Sequence, residues 1–184
     1  LENDPHLWMD VSAWSLVAKN IQTSLADFDP SNKAYYEERL ATYQDTLVEL
    51  GAYAQKSLAS IPGSKRVLVT AHDAFSYLGR AYDLEVRGIQ GISTESEAGI
   101  QEINKLVSYL VDNKIPAVFV ESSVSEKSVK ALIEGAAARG HEVVIGGELS
   151  RHALDLMQSS AQRGEMMGAA AAAPDGFSAV LATI

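Results

Sequence analysis

From Lys65 onward the chain alternates short apolar runs with helical stretches, and this alternation constrains the fold more than any other feature. RVLVT (Arg66 to Thr70), LEVRG, AVFV and EVVI (Glu142 to Ile145) read as strands. Helices are expected between them, from Asp73 to about Tyr82, from about Glu95 to Asn113 and from Ser125 to Arg139. Short, continuously apolar strands separated by helices make parallel βαβ units with right-handed crossovers. The fold class is α/β, with an open parallel sheet flanked by helices.

Before this domain the rhythm is purely helical. Trp14, Val17, Ile21 and Leu25 recur at spacings of three and four, which predicts an amphipathic helix over Val11 to Leu25. Asp29-Pro30 then makes a turn, Ser31 or Asn32 offers a cap, and Tyr36, Leu40, Tyr43, Leu47, Leu50 and Ala54 form one apolar stripe. The helix runs from about Asn32 to about Ser60, where Pro62-Gly63 stops it, a length of about 43 Å. Such a helix exceeds the width of the domain that follows it.

The 184 residues are 47% hydrophobic, enough for one core and part of a second. Fifteen Lys and Arg against 24 Asp and Glu leave a net charge of -9, which argues against a nucleic-acid surface and is compatible with a cation ligand. With no cysteine, any metal must be held by imidazole and carboxylate. No apolar run is long enough to span a membrane. The first residue is Leu1, as in a processed product or a fragment, and the closing FSAVLATI reads as a last helix cut short.

The candidate chemistry gathers at strand ends. His72 and Asp73 follow RVLVT directly, where an open α/β sheet exposes side chains to a ligand crevice. Asp73 is either a helix cap or a partner of a ligand, and His72 either completes the strand end or holds a metal. His6 follows the rigid Asp4-Pro5 turn, as an ordinary loop histidine or as an imidazole presented to a cation. Glu121 ends the third strand as His72 ends the first, and Thr94 with Glu97 makes a capping box. His141 lies at the opposite strand end. His152, Asp155 and Glu165 stand in a polar tail that ends in a low-complexity GAAAAAPDG loop. GxGxxG, GxxxxGK, GxSxG and HExxH are all absent, which removes the common nucleotide, hydrolase-elbow and zincin readings.

DPHLW, the long helix after DPSNKAYYEERL, VTAHDAF, QGISTESEAG, FVESSVS and GHEVVIGGEL occur in one order. In that order the chain resembles the metal-binding solute receptors of bacterial ABC importers, the cluster A-I or zinc-uptake complex component A family. The resemblance implies a two-lobed receptor joined by one rigid helix, with a divalent manganese, zinc or iron ion between the lobes as the transported ligand. Residues 1–30 correspond to the end of the first lobe, 31–61 to the linking helix and 62–184 to the second lobe. The amino-terminal lobe, which carries another histidine ligand, is not in this sequence.

The family's DPHxW histidine falls on His6 and its second-lobe ligand on His72. Glu165 stands where the family's SDAMG-like motif has an aspartate, after an inserted SRHALDLMQSSAQR, with Asp155 and His152 as substitutes. By the same pattern Glu121 and Asp73 back the ligands without contacting the metal. The resemblance further implies a periplasmic or extracytoplasmic location, lipid-anchored in a longer form, docking to a membrane permease, and no catalysis. Histidines with oxygen donors lean toward manganese or iron over tetrahedral zinc, and neutral imidazole is required, so affinity falls as pH drops through about 6.5. The alternatives are a metal-dependent hydrolase with His72 as ligand and Glu121 as general base, and an interaction module without metal affinity. An apolar face left where the first lobe packs implies self-association.

Overall fold

The computed structural model describes residues 4–92, 98–121 and 125–149. After a 3-10 turn at Leu7–Met9, helix α1 spans Val11–Phe28 and helix α2 spans Lys33–Ala59. Strand β1 (Val67–His72), helix α3 (Ser76–Tyr82), strand β2 (Glu85–Gln90), helix α4 (Ile100–Asn113), strand β3 (Ala117–Glu121), helix α5 (Lys127–Ala137) and strand β4 (Val144–Leu149) follow. The four strands form one parallel sheet in the order β2-β1-β3-β4. The open α/β class inferred from the alternation is the observed one.

Alternation along β1 divides the core in two. Val69 and Ala71 face Leu106, Val107 and Leu110 of α4 and Val129, Leu132 and Ala136 of α5. Leu68 faces the other way, with Ala54 and Leu58 of α2, Phe75, Leu78 and Tyr82 around α3, and Met9 of the amino-terminal turn. Both faces of β1 are therefore dry, as a parallel sheet covered by helices requires.

The long helix starts one residue later and ends one earlier than expected, and at 27 residues it is about 40 Å long. Its apolar stripe is the covered face: Leu47, Ala54 and Leu58 are buried. Only its carboxyl-terminal part enters the core of the sheet. The rest pairs antiparallel with α1, through Trp14 Nε1–H donating to the Tyr43 hydroxyl at 2.8 Å and Gln44 Nε2–H to Ser15 Oγ at 3.0 Å. Neither Ser31 nor Asn32 caps α2 with its side chain. Instead Asp29 gathers the turn, accepting from Ser31 Oγ, Asn32 Nδ2 and the Tyr36 hydroxyl.

α1 runs three residues past Leu25, capped by Asp10, whose carboxylate accepts from the Ser12 and Ala13 N–H groups. Its expected stripe is only half covered: Ile21 and Leu25 are exposed, as are Leu16 and Phe28. One helix cannot cover more than one side of α1.

Three boundaries move for identifiable reasons. β1 extends through His72, because the backbone stays paired to Gln90. α3 begins at Ser76, with Asp73 outside it. β4 begins at Val144 and continues through Gly146-Gly147 to Leu149, carrying a bulge at Gly146, where a Cβ would lie 2.9 Å from the Phe119 ring. α4 is observed from Ile100 and α5 from Lys127. The Thr94–Glu97 capping box, His152, Asp155, Glu165 and the apolar end of the chain lie outside the described residues.

Leu58 is fully buried where α2 meets the sheet. Leu58→Ala is expected to lower the unfolding free energy by about 3 kcal/mol in urea titrations, against under about 0.5 kcal/mol for Val48→Ala on the exposed side of the same helix.

Candidate functional site

In the strand order β2-β1-β3-β4, the chain goes from β1 to β2 at one edge and then crosses back past β1 to β3 and on to β4, so the crevice between the carboxyl ends of β1 and β3 is the topological switch point. His72 ends β1 and Glu121 ends β3. Thr70 is paired with Phe119, and two residues further along, the same register sets His72 beside Glu121. Both side chains are fully buried.

Glu121 Oε1 accepts the His72 backbone N–H at 2.9 Å. Its Oε2 approaches His72 Nδ1 to 2.6 Å, although neither atom has an aligned hydrogen bond. The backbone bond is thus the directional one, and the ring contact is a close charge contact off the N–H line. A carboxylate against Nδ1 favours the proton on that nitrogen, which leaves the Nε2 lone pair free to ligate. His72 Nε2 is buried and has no hydrogen-bond partner.

His6 arrives from a different part of the chain. Asp4 folds back in an Asx turn, its Oδ1 accepting from the His6 N–H at 3.0 Å and lying 2.7 Å from His6 Nδ1. Again a carboxylate holds Nδ1 and leaves Nε2. The His6 and His72 rings lie with centroids 5.4 Å apart and planes at 72°, and Trp8 packs edge-on against His6.

Two contacts anchor the segment that bears His6. Met9 is buried against Ala54, Phe75 and Leu78. Asp10 caps α1 and accepts from Arg80 Nη2 of α3 at 2.7 Å, tying the start of α1 to the sheet domain. Burial pushes the Asp10 carboxyl up, but the bonds from Ser12, Arg80 and Ala13 together outweigh it, so it titrates below its ordinary value.

Asp73 is engaged with the start of α3. Its Oδ1 accepts from Ser76 Oγ at 2.7 Å, and its N–H donates to the Gln90 carbonyl. Gly88 lets this crossing occur: a Cβ there would meet the Asp73 nitrogen at 2.4 Å. His141 sits at the other end of the sheet, Nε2 2.7 Å from the Ile115 carbonyl oxygen.

Asp4 and Gln90 are the residues that sequence reasoning passed over. The two-residue spacing from Asp4 to His6, which fits an Asx turn, was the available signal for the first. Gln90 had none, because only strand pairing brings it beside His72. Among the described residues no three His, Asp or Glu side chains converge as a complete metal cage. What converges is an imidazole pair, each ring backed by a buried carboxylate.

The chain matches the model of the ZnuA family, zinc-uptake complex component A, periplasmic, over residues 2–163. It is 45% identical over 153 residues to the zinc-binding protein TroA of Treponema pallidum, covering 83% of this chain and 50% of that one. To the manganese-binding lipoprotein MntA of Bacillus subtilis it is 42% identical over 151 residues, 82% of this chain and 49% of the relative. The solved periplasmic zinc-binding protein TroA superposes with a TM-score of 0.78 over 80% of this chain and 53% of that structure, at 45% identity. The chain thus spans about half the length of the curated relatives it matches.

Because the Asp10 carboxyl titrates low when folded, its contribution to stability is complete above the unfolded value of about 3.9 and is lost as pH falls below it. Asp10→Asn is expected to flatten the acid limb of a stability–pH curve below about pH 4. An unchanged slope in urea titrations from pH 5 to 2.5 counts against the Asp10–Arg80 tie.

Proposed function

The chain belongs to the periplasmic zinc-uptake complex component A family, and on that premise we propose that it is the metal-capturing part of a solute receptor serving an ABC importer. One observation carries the proposal: His6 and His72, from segments 66 residues apart in the chain, face each other with each Nδ1 against a buried carboxylate. The two imidazoles, with the unpartnered Nε2 of His72 between β1 and β3 at the switch point of the sheet, make a binding site for a borderline divalent cation. The cargo is manganese, zinc or iron.

His6 and His72 ligate the ion. Asp4 and Glu121 set the tautomers and raise ligand basicity. Further donors come from elsewhere, and Glu165 is the carboxylate that the family pattern offers. Residues 1–30 end a first lobe, 31–61 link, and 62–184 form a second lobe. The receptor works outside the cytoplasm, periplasmic or lipid-anchored, and delivers the ion to a membrane permease. The exposed apolar residues Leu16, Ile21, Leu25 and Phe28 favour self-association of this chain.

The engagement of Glu121 favours a receptor over a hydrolase. One oxygen accepts the His72 N–H and the other abuts the His72 ring in a fully buried position, which suits a group that holds the ring better than one that deprotonates a water. The protein therefore captures and releases its ligand without turnover.

Calorimetric titration of the chelator-stripped chain with manganese and zinc chlorides tests the reading. Binding is expected in the parent, with at least a tenfold loss of affinity in both His6→Ala and His72→Ala. Glu121→Gln should weaken binding on the order of 10-fold by loosening the ring it holds. Equal affinity in the parent and both histidine variants would sink the proposed site.

A further inference from the structure

One buried polar atom at this rim is unaccounted for. Gln90 ends β2 and is 6% exposed, and its Oε1 is buried without a hydrogen-bond partner. A buried amide oxygen left without a partner forgoes its bonds to water, so a residue of this kind calls for a reason. Replacement by leucine of similar size would have avoided the cost.

The register supplies its surroundings. Gln90 is the pairing partner of His72 across β1 and β2, so the two side chains leave the same face of the sheet one strand spacing apart, about 4.8 Å. That face carries Leu68 and Val86 in the row four residues below, and Thr70 and Gly88 between. Glu121 flanks His72 from the other side. The strand ends thus present one row, Gln90, His72 and Glu121. His72 is linked to Glu121 on one side and faces an unpartnered oxygen on the other.

Two buried atoms on paired residues therefore lack partners, the Nε2 of His72 and the Oε1 of Gln90. With the His72 proton on Nδ1, facing Glu121, neither can satisfy the other, since both are then electron-pair donors. An electrophile between them satisfies both.

We propose that Gln90 is a neutral oxygen donor of the cation site, adjacent to His72, and that it biases the site toward manganese over zinc. The inference rests on the receptor reading above. A carboxamide oxygen is a hard donor that suits manganese, whereas four-coordinate zinc is content with imidazole and carboxylate. Gln90 thus acts on metal preference more than on whether metal binds.

The test compares the chelator-stripped parent chain with Gln90→Leu, Gln90→Glu and His72→Ala, titrating manganese chloride and zinc chloride separately by calorimetry and recording metal-free melting curves. Gln90→Leu should weaken manganese on the order of 10-fold and zinc by less than about threefold, while leaving the metal-free melting temperature unchanged or higher. Gln90→Glu keeps the oxygen, adds charge and should tighten both metals. Unchanged manganese affinity in Gln90→Leu overturns the proposal, as does an equal loss for both metals with a lower melting temperature, the signature of a packing role. If Gln90→Leu does not fold, weaker manganese binding by Gln90→Glu overturns it instead. A parent that binds neither metal overturns the receptor reading and this inference with it, whereas a parent that loses binding only through His72→Ala removes the inference alone.

Discussion

The pairing of Glu121 with His72 across the ends of β3 and β1 is the contact on which the site depends. Two side chains with no exposure at all meet there, and burying a carboxylate is costly unless its oxygens find partners. Glu121 finds one in the His72 backbone N–H, while its second oxygen lies against the His72 ring. The parallel sheet makes this possible: β1 and β3 are neighbours at the switch point, and their carboxyl ends lie side by side. The same carboxylate pins the end of β1 and selects the tautomer of the ring that the strand presents.

The second imidazole is placed by other means. His6 stands on no strand, and its position comes from an Asx turn on one side and, on the other, a turn whose Met9 is packed into the sheet's core. Asp10 then joins the start of α1 to α3 through Arg80. In this way the α1–α2 hairpin and the sheet domain share a seam, and the two histidines sit along it.

Several buried polar atoms at the rim are unsatisfied within the protein, His72 Nε2 and Gln90 Oε1 among them. In a structural core such atoms are a pure loss, since each forgoes its bonds to water. At a site that takes a cation they are the binding capacity itself. The stability deficit at the rim is local, and the dry core made by Val69, Leu110, Val118 and Leu132 on the opposite face offsets it.

Much of this was legible in the sequence. Period-two and period-three-to-four patterns report burial directly, so the strands, the long helix and its covered stripe could be read from residue spacing, and ordered motifs pointed to the family. Exact ends could not be read, because β1 continues through His72 and β4 through Gly146 only by virtue of neighbours in the sheet. The candidates His6 and His72 were visible as residues, yet nothing local distinguished a ligand from an ordinary histidine. Tertiary structure alone decided that the two rings meet and that Glu121 holds the second of them. The physical reason is that spacing along a chain encodes which face of an element is covered, whereas contacts between residues 49 or more apart depend on strand order and register, which are settled only when the whole sheet assembles.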